Sequence, residues 1–273
     1  VAADKNLAMF DLILSKLPKN KISEAIKLPL RRAITGGRMD NAMAILGKMK
    51  GQELSESNLG YNVLHTAILY GTVDFIEHLL SLKVHKLKRM YPLHEAVRSP
   101  KEENLRYLLN CGLFDVNYKD RFGQTPLLEA CRRDSNAVNI ILEQPAVQVD
   151  ILNTDNISPA MMLLSYGRIQ TALKILSISN KHINTKSKQG VSPLQAFILS
   201  SFESKRKFEV VKQLVEQYGA DPNQDEKLLC STAKLGLVEI LRYFVAERKV
   251  NPQQGVQDGT TAFCGACEAR INR

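Results

Sequence analysis

A short sequence pattern recurs along almost the whole chain and limits the folds that the chain can adopt. It is clearest at Tyr91–Ala96 (YPLHEA) and Thr125–Ala130 (TPLLEA), whose prolines are 34 residues apart. A period of this length is typical of solenoids built from stacked supersecondary units. The equivalent position occurs eight times, with spacings of 34, 29, 34, 33, 34, 35 and 34 residues, at Pro29, Val63, Pro92, Pro126, Pro159, Pro193, Leu228 and Ala262.

Each unit carries signals for two helices. Proline suits the first helical turn, because its missing N–H has no partner there, and an apolar and then a small residue follow, as in Leu127 and Ala130. A second, more apolar helix is expected at places such as 73–80, and polar stretches such as 219–223 favour turns. We therefore predict an all-α fold of stacked helix-turn-helix units with short β-hairpin or loop connections. A left-handed glycine eight residues after the proline position would end the first helix at Gly37, Gly71, Gly167 and Gly236.

The register also predicts the domain organisation. A single helix pair cannot bury its apolar face, so neighbouring units must stack. We expect one domain over residues 1–273 with seven to eight repeats, in which 1–20 is the remnant of a preceding repeat. The last repeat, from about residue 255, is expected to be incomplete, so we expect the natural protein to continue. The longest notable apolar run, Ala160–Leu164, is far shorter than the roughly 18 residues of a transmembrane helix.

Several motifs are similar to those of the ankyrin-repeat family: Gly123–Leu127, Leu64–Ala67, Pro92–Ala96 and Gly219–Asn223. The similarity covers roughly residues 20–273. It implies an ankyrin-repeat solenoid, which is a non-catalytic scaffold for binding another protein. It also implies that His65 and His94 brace their turns by hydrogen bonding to the backbone. One departure is Phe197, which takes the usual alanine position of its unit while Ala196 comes one place early.

Positive charge is concentrated near the N-terminus. Residues 1–50 contain ten Lys or Arg and four acids, which gives +6 of the net charge of +9. Nucleic-acid-binding surfaces usually interleave cations with aromatic residues that stack on bases, and only Phe10 lies among these cations. The sequence therefore favours a solvated basic face, with an acidic protein partner as the next interpretation and nucleic acid as an unlikely one.

Cysteine and histidine offer little catalytic or metal chemistry. The Cys264–Cys267 motif could form half a zinc site or a redox pair. However, Cys264 and Cys230 lie two residues after a proline position, and Cys267 and Cys131 lie five after, which are half-buried helical positions that cysteine fills readily. No phosphate-binding loop, nucleophile elbow or zinc-protease motif occurs in the sequence. We predict a non-enzyme without cofactor or metal.

The family resemblance implies where a partner would bind. In ankyrin-like solenoids the concave face is formed by the hairpin tips and by the exposed side of each first helix. Reading those positions gives a set rich in Tyr, Phe and Arg, residues that are common in binding hot spots. The alternative is that they are ordinary surface residues. The predicted partner-binding residues are Tyr61, Tyr70, Lys88, Met90, Arg98, Arg121, Phe122, Gln124, Arg132, Arg133 and Tyr166.

Three functional hypotheses remain open from the sequence. The first is a protein–protein interaction scaffold. The second is a recognition arm of a larger enzyme, bacterial effector or channel whose active part lies elsewhere. The third is an electrostatic binder of nucleic acid or anionic lipid through the basic N-terminal region, which would show steep salt dependence. Five irregularly spaced cysteines argue against a disulfide framework and favour a reducing, cytoplasmic location. We expect a monomer.

Overall fold

A computed structural model describes residues 9, 12–13, 15–16, 19–47, 58–82, 91–133, 136–253 and 266, with the backbone alone at 19–24, 58–62 and 204–205. It divides into an N-terminal unit (1–118 and 139–145) and a C-terminal unit (119–138 and 146–273). The predicted remnant at 1–20, the connection at 83–90 and the repeat from about 255 lie largely or wholly outside the described residues.

The described residues form helices and turns and no β-strand. The helices up to residue 118 are α1 (Lys19–Thr35), α2 (Met39–Leu46), α3 (Asn58–Tyr70), α4 (Val73–Ser81), α5 (Pro92–Arg98) and α6 (Glu102–Asn110). Those after it are α7 (Pro126–Arg132), α8 (Ala137–Leu142), α9 (Pro159–Ser165), α10 (Ile169–Ile178), α11 (Pro193–Leu199), α12 (Ser204–Glu216), α13 (Leu228–Lys234) and α14 (Val238–Arg242). A 3₁₀ turn occupies Pro222–Gln224, and a π-helical turn, Tyr243–Glu247, follows α14.

Three helices of the C-terminal unit begin at proline, as the sequence predicts, and a hydroxyl residue, which was not predicted as a cap, precedes each proline. Thr125, Ser158 and Ser192 each accept a hydrogen bond from the backbone N–H three residues later, at 3.2, 3.1 and 3.0 Å. The hydroxyl satisfies an N–H that the first helical turn leaves without an intrahelical partner. These local contacts fix the start of each helix and hence the register of the unit.

The prediction that every first helix starts at its proline position is wrong for α1 and α3. Pro29 lies inside α1, where proline costs one backbone hydrogen bond. Buried Ile26, Leu30 and Ile34 continue the apolar face on both sides of it. At the equivalent place in α3 the residue is Val63, whose N–H can join a preceding helical turn, so the helix begins at Asn58.

The predicted turn glycines are confirmed at three positions. Gly37, Gly167 and Gly236 have φ of 71°, 69° and 67°, a left-handed backbone that side-chain-bearing residues adopt at a cost. Gly71 is needed because of a close approach, since a Cβ there would lie 2.7 Å from the carbonyl oxygen of Ala67. Each glycine lets the chain turn from the first helix of a pair into the second.

The helices pack in pairs, and the first helices of successive pairs also pack on one another. In the N-terminal unit α1 packs on α3 and α3 on α5, and in the C-terminal unit α7, α9, α11 and α13 form a similar row. The core of each unit is aliphatic with a few large aromatic residues, among them Phe75, Phe197 and Phe244. No helix in the described ranges is long and apolar enough to cross a membrane.

Candidate protein-binding surface

Hydrogen-bonded turns line one end of the first helices in the C-terminal unit. The Asp120 carboxylate accepts the N–H groups of Phe122 and Gln124 at 2.8 and 2.9 Å. One repeat later, the Asn153 side-chain oxygen accepts the N–H groups of Asp155 and Ile157, each at 2.9 Å. An Asp or Asn side chain that bonds its own backbone in this way stabilises a tight turn. The predicted hairpin tips are therefore formed without a regular strand among the described residues.

Three predicted partner-binding residues lie at the first of these tips. Arg121 and Phe122 are exposed and Gln124 is half-buried. The Arg121 guanidinium lies 4.6 Å from the centroid of the Phe122 ring. The carbonyl oxygen of Phe122 accepts hydrogen bonds from the backbone N–H and the hydroxyl of Thr154, at 3.3 and 2.8 Å. The next tip thus holds this one in place, so that the Phe122 side chain is presented to solvent on a fixed backbone.

A buried carboxylate organises the end of α7. Glu129 is only 3% exposed, and both of its oxygens accept hydrogen bonds from Arg132 Nη2 at 2.9 Å. Arg133 Nε donates to the same carboxylate at 3.1 Å. Because the guanidinium groups of Arg132 and Arg133 share this anchor, their orientations are restricted while about half of each side chain stays exposed.

Arg168 joins this arginine pair to Tyr166. Its Nη1 donates to the carbonyl oxygen of Cys131 at 3.0 Å and also to that of Arg133, and its guanidinium lies 5.4 Å from the centroid of the Tyr166 ring. The structure therefore brings Arg132, Arg133 and Tyr166 together at the adjacent ends of α7 and α9. Arg168 was not among the residues predicted from the sequence. The sequence does hold a signal for it, because Arg168 lies nine residues after Pro159 and another cation, Lys101, lies nine residues after Pro92.

Tyr70 borders a basic cleft in the N-terminal unit. The cleft has a volume of about 430 Å³ and lies between α1 and α3, with Lys27, Leu28, Arg31 and His65 among its lining residues. Lys101 Nζ donates to the carbonyl oxygen of Tyr70 at 2.9 Å, which fixes the end of α3 where the exposed Tyr70 side chain begins. An aromatic ring beside cations suits an acidic protein surface with apolar side chains.

Arg98 is exposed and pairs with a carboxylate that also contacts histidine. Arg98 Nη1 lies 3.4 Å from Glu95 Oε1, and His65 Nδ1 lies 3.3 Å from Glu95 Oε2. His65, expected to brace its turn, thus contacts a side chain of the next repeat. Burial raises the pKa of Glu95, but the hydrogen bond from His65 and the positive charges around it have a larger combined effect. The net pKa of Glu95 lies below its ordinary value.

This arrangement predicts a pH-dependent contribution to stability. A carboxyl group whose pKa is lower in the folded state stabilises the fold above its unfolded pKa and loses that effect as pH falls through the folded value. We expect Glu95→Gln to lower the free energy of unfolding by about 1 kcal/mol at neutral pH. The difference from wild type should shrink as the pH falls below 4.5, the ordinary value. Urea unfolding of both proteins between pH 7 and pH 3 measures this difference in unfolding free energy.

The matched control is Glu103→Gln, because Glu103 is exposed on α6. We expect it to change stability by no more than about 0.5 kcal/mol at any pH in this range. Equal pH profiles for the two variants would contradict a specific role of the contact between His65 and Glu95.

One predicted site residue is placed differently from its prediction. Tyr61 was expected at a hairpin tip, and this is wrong because α3 starts at Asn58 and includes Tyr61 in its first turn. Lys88 and Met90 lie outside the described residues. Leu199 and Leu235, at the equivalent helix ends, were not predicted as partner-binding residues. Both are apolar, and Leu199 is 52% and Leu235 47% exposed.

The cysteines have different surroundings. Cys131 and Cys230 are buried and Cys111 is half-buried, and all three are free thiols. Burial raises the pKa of the Cys131 thiol, so the predicted structural role of this residue agrees with its place. Cys264 and Cys267 lie outside the described residues. Within the part of the chain that the structure covers, no group of three or more His, Cys, Asp or Glu side chains could hold a metal ion.

Paired helices in a repeating row, with polar turns at one end, define a helical repeat protein. Residues 64–155 match the family model for ankyrin repeats in three copies. Residues 64–155 therefore carry ankyrin repeats, and the described helices have the paired arrangement of an ankyrin-repeat fold. The total of seven to eight repeats stays a prediction.

Solved structures show the same fold. The chain is similar to the ankyrin repeat domain of Bcl-3, described as a unique member of the IkappaB protein family, with 22% identity, a TM-score of 0.57 and coverage of 74% of this chain and 92% of that one. It is also similar to an ankyrin repeat domain from Acinetobacter baumannii AYE, with 21% identity, a TM-score of 0.55 and coverage of 66% and 94%. No curated protein sequence matches the chain. Ankyrin repeats are a general protein–protein interaction module, typically without catalytic activity.

Proposed function

We propose that this chain is a non-catalytic scaffold that binds another protein through the ends of its first helices and its hairpin tips. The observation that carries the proposal is the cluster of Arg132, Arg133, Tyr166 and Arg168. Arginine and tyrosine are enriched among residues whose truncation weakens protein complexes most. Here a buried carboxylate and backbone carbonyl groups hold the arginines in place, which lowers the entropy that binding would otherwise cost.

The partner is proposed to have an acidic surface. Arg132 and Arg133 expose guanidinium groups in the C-terminal unit, and Lys27 and Arg31 line the cleft beside Tyr70 in the N-terminal unit. Guanidinium groups bind carboxylates with good geometry because they offer parallel N–H donors. We further propose that the chain acts as a monomer in a reducing, cytoplasmic environment, where free cysteines persist. Sedimentation velocity checks the oligomeric state.

We expect the double variant Arg132→Ala/Tyr166→Ala to weaken binding to the partner by about 2 kcal/mol. The partner is first isolated by affinity capture from cell lysate with the whole chain, then identified, purified and titrated against each variant. Both side chains are about half exposed, so the fold should survive their truncation.

The matched control is Lys212→Ala/Ile178→Ala, which truncates two exposed residues on the second helices of the same unit. It should leave the affinity unchanged. Unchanged affinity in Arg132→Ala/Tyr166→Ala, with the circular dichroism of wild type, would show that this surface is not the binding site.

A second candidate is electrostatic binding of a polyanion, nucleic acid or anionic lipid, through the basic N-terminal region. The cationic cleft between α1 and α3 favours it. Such binding would fall steeply with salt and discriminate little among polyanions. Capture at low and at high salt separates the two candidates: a single protein retained at high salt supports the scaffold, and salt-labile capture of mixed polyanions supports the second candidate. Whether a catalytic or channel domain accompanies this chain does not change either test.

A further inference from the structure

A small pocket lies in the N-terminal unit, where the start of α5 meets the loop that follows α6. Its volume is about 200 Å³. Sites that hold a whole small molecule usually measure about 300–1,000 Å³, so this pocket suits a head group or the end of a side chain. Its lining includes buried Leu93, the rings of Tyr91, Phe114 and Tyr118, and the carboxylate of Asp115.

Aromatic rings form much of the wall of this pocket. The ring centroid of Tyr91 lies 5.6 Å from that of buried His94, with the two planes at 76°. It lies 6.0 Å from the ring centroid of Tyr118, with the planes inclined at 38°. Phe114 adds a further ring to the lining. The face of an aromatic ring is the negative part of its quadrupole and attracts a cation within about 6 Å of the centroid. The pocket is small enough for one bound cation to contact more than one ring.

A carboxylate borders the same pocket. Asp115 is exposed, and its Oδ1 accepts the N–H of Asn117 at 2.8 Å. Its carbonyl oxygen accepts the N–H of Tyr118 at 3.1 Å, so one turn holds both the carboxylate and the Tyr118 ring. An ionised carboxylate has about four acceptor positions, and Asp115 can therefore contact a ligand as well. Although the chain has a net charge of +9, none of the lining residues in the described ranges is Lys or Arg.

The combination of rings and one carboxylate favours a quaternary ammonium group as the occupant. An anion would be repelled by the ring faces and by Asp115. An uncharged apolar group would cover the carboxylate without a countercharge, which costs free energy. A primary ammonium is strongly hydrated and brings three N–H donors into a pocket with few acceptors. A quaternary ammonium carries the positive charge, has no N–H donor, and packs its methyl groups on the rings.

We propose that this pocket binds a quaternary ammonium group, carried either by a small molecule or by a trimethylated lysine side chain. The rings of Tyr91 and Tyr118 contact the methyl groups, and the carboxylate of Asp115 balances the charge. The pocket belongs to the N-terminal unit and uses none of the residues of the arginine and tyrosine cluster at the end of α7. It is therefore a binding site beyond the proposed scaffold function, and the two proposals can fail separately.

The test is a titration of the whole chain with choline, followed through the tyrosine ring signals in ¹H–¹³C NMR spectra. The chain has eight tyrosines, and replacing one at a time with phenylalanine assigns their signals. We expect the signals of Tyr91 and Tyr118 to shift with a Kd of about 1 mM. The uncharged isostere dimethylbutanol, in which a carbon atom replaces the nitrogen, should bind about tenfold more weakly or worse.

Two variants separate the contribution of the ring from that of the charge. Tyr118→Ala should weaken choline binding about tenfold, whereas Tyr118→Phe, which keeps the ring, should bind like wild type. Asp115→Asn keeps an oxygen that accepts the N–H of Asn117 but removes the charge, and it should weaken binding about fivefold. The matched control is Asp74→Asn, which removes the same charge from an exposed position on α4 of the same unit and should leave binding unchanged.

The source of the ammonium group is tested with the acetylated amides of lysine and of trimethyl-lysine. The trimethyl-lysine compound should bind about tenfold more tightly than the lysine compound. If it also binds more tightly than choline, the source is a protein side chain, and the reverse order indicates a small molecule. The proposal is overturned if choline shifts neither Tyr91 nor Tyr118, if dimethylbutanol or the lysine compound binds as tightly as its quaternary counterpart, or if Tyr118→Ala and Asp115→Asn bind choline like wild type.

Discussion

Replacing Phe197 by alanine is expected to lower the free energy of unfolding by about 4 kcal/mol, although alanine is the residue that the repeat pattern favours at this position. Phe197 is completely buried. Its ring centroid lies 5.7 Å from that of Phe202, and the ammonium of Lys207 lies 5.8 Å from it. Truncation would leave a cavity between α11 and the loop that follows it, because a packed interior closes such a space only in part.

Urea unfolding followed by circular dichroism measures this change. The control is Leu199→Ala on the same helix, where the side chain is 52% exposed and the expected cost is about 0.5 kcal/mol. A loss of unfolding free energy below about 1 kcal/mol for Phe197→Ala would mean that the neighbouring side chains close over the alanine. The repeat would then pack like one that has alanine at this position. The size of the stability loss therefore tests whether this repeat needs phenylalanine where the repeat pattern has alanine.

Local sequence signals predicted the parts of the fold that depend on neighbouring residues. Pro159 and Pro193 lie in the first turn of their helices, and Gly167 and Gly236 adopt the left-handed backbone, because each of these effects acts within one turn of chain. The start of α3 was predicted wrongly for a related reason. The repeat register places a helix start at position 63, but Val63 keeps an N–H that a preceding helical turn can bond. The helix α1, which runs through Pro29, shows that even proline at this position does not always stop a helix.

Contacts between repeats could not be read from the sequence in the same way. Arg168 was missed because its partners, the carbonyl groups at the end of α7, lie 35 and 37 residues before it. Arg132 and Arg133 were predicted as exposed hot-spot residues, and their common anchor on buried Glu129 was not. The pattern predicts which side of a helix faces outward, whereas the identity of a hydrogen-bond partner depends on the stacking distance and on side-chain reach.

A recurring cation stabilises the end of the preceding first helix. Lys101, nine residues after Pro92, bonds the carbonyl groups of Tyr70 and Gly71 at 2.9 and 2.7 Å, and Arg168, nine after Pro159, does the same for α7. A cation there also interacts favourably with the negative end of the helix dipole. For α11 the equivalent residue of the next repeat is Leu237, which carries no charge.

Lys207 of α12 supplies the missing cation for α11. Its Nζ donates to the carbonyl oxygens of Ile198 and Ser200, each at 2.8 Å, and the residue is only 4% exposed. We expect Lys207→Met, which keeps the apolar stem, to lower the free energy of unfolding by about 3 kcal/mol, because two buried acceptors lose a charged donor. Thermal and urea unfolding of the whole chain measure it.

The matched control is Lys212→Met on the same helix, where the lysine side chain is 50% exposed and lies 4.0 Å from Glu216. An exposed ion pair of this kind is worth at most about 1 kcal/mol. If the two methionine variants lose equal stability, the carbonyl groups at the end of α11 find other donors and the Lys207 contact is dispensable. If Lys207→Met alone is strongly destabilised, this unit depends on a buried cation from its own second helix, as α3 and α7 depend on cations from the next repeat.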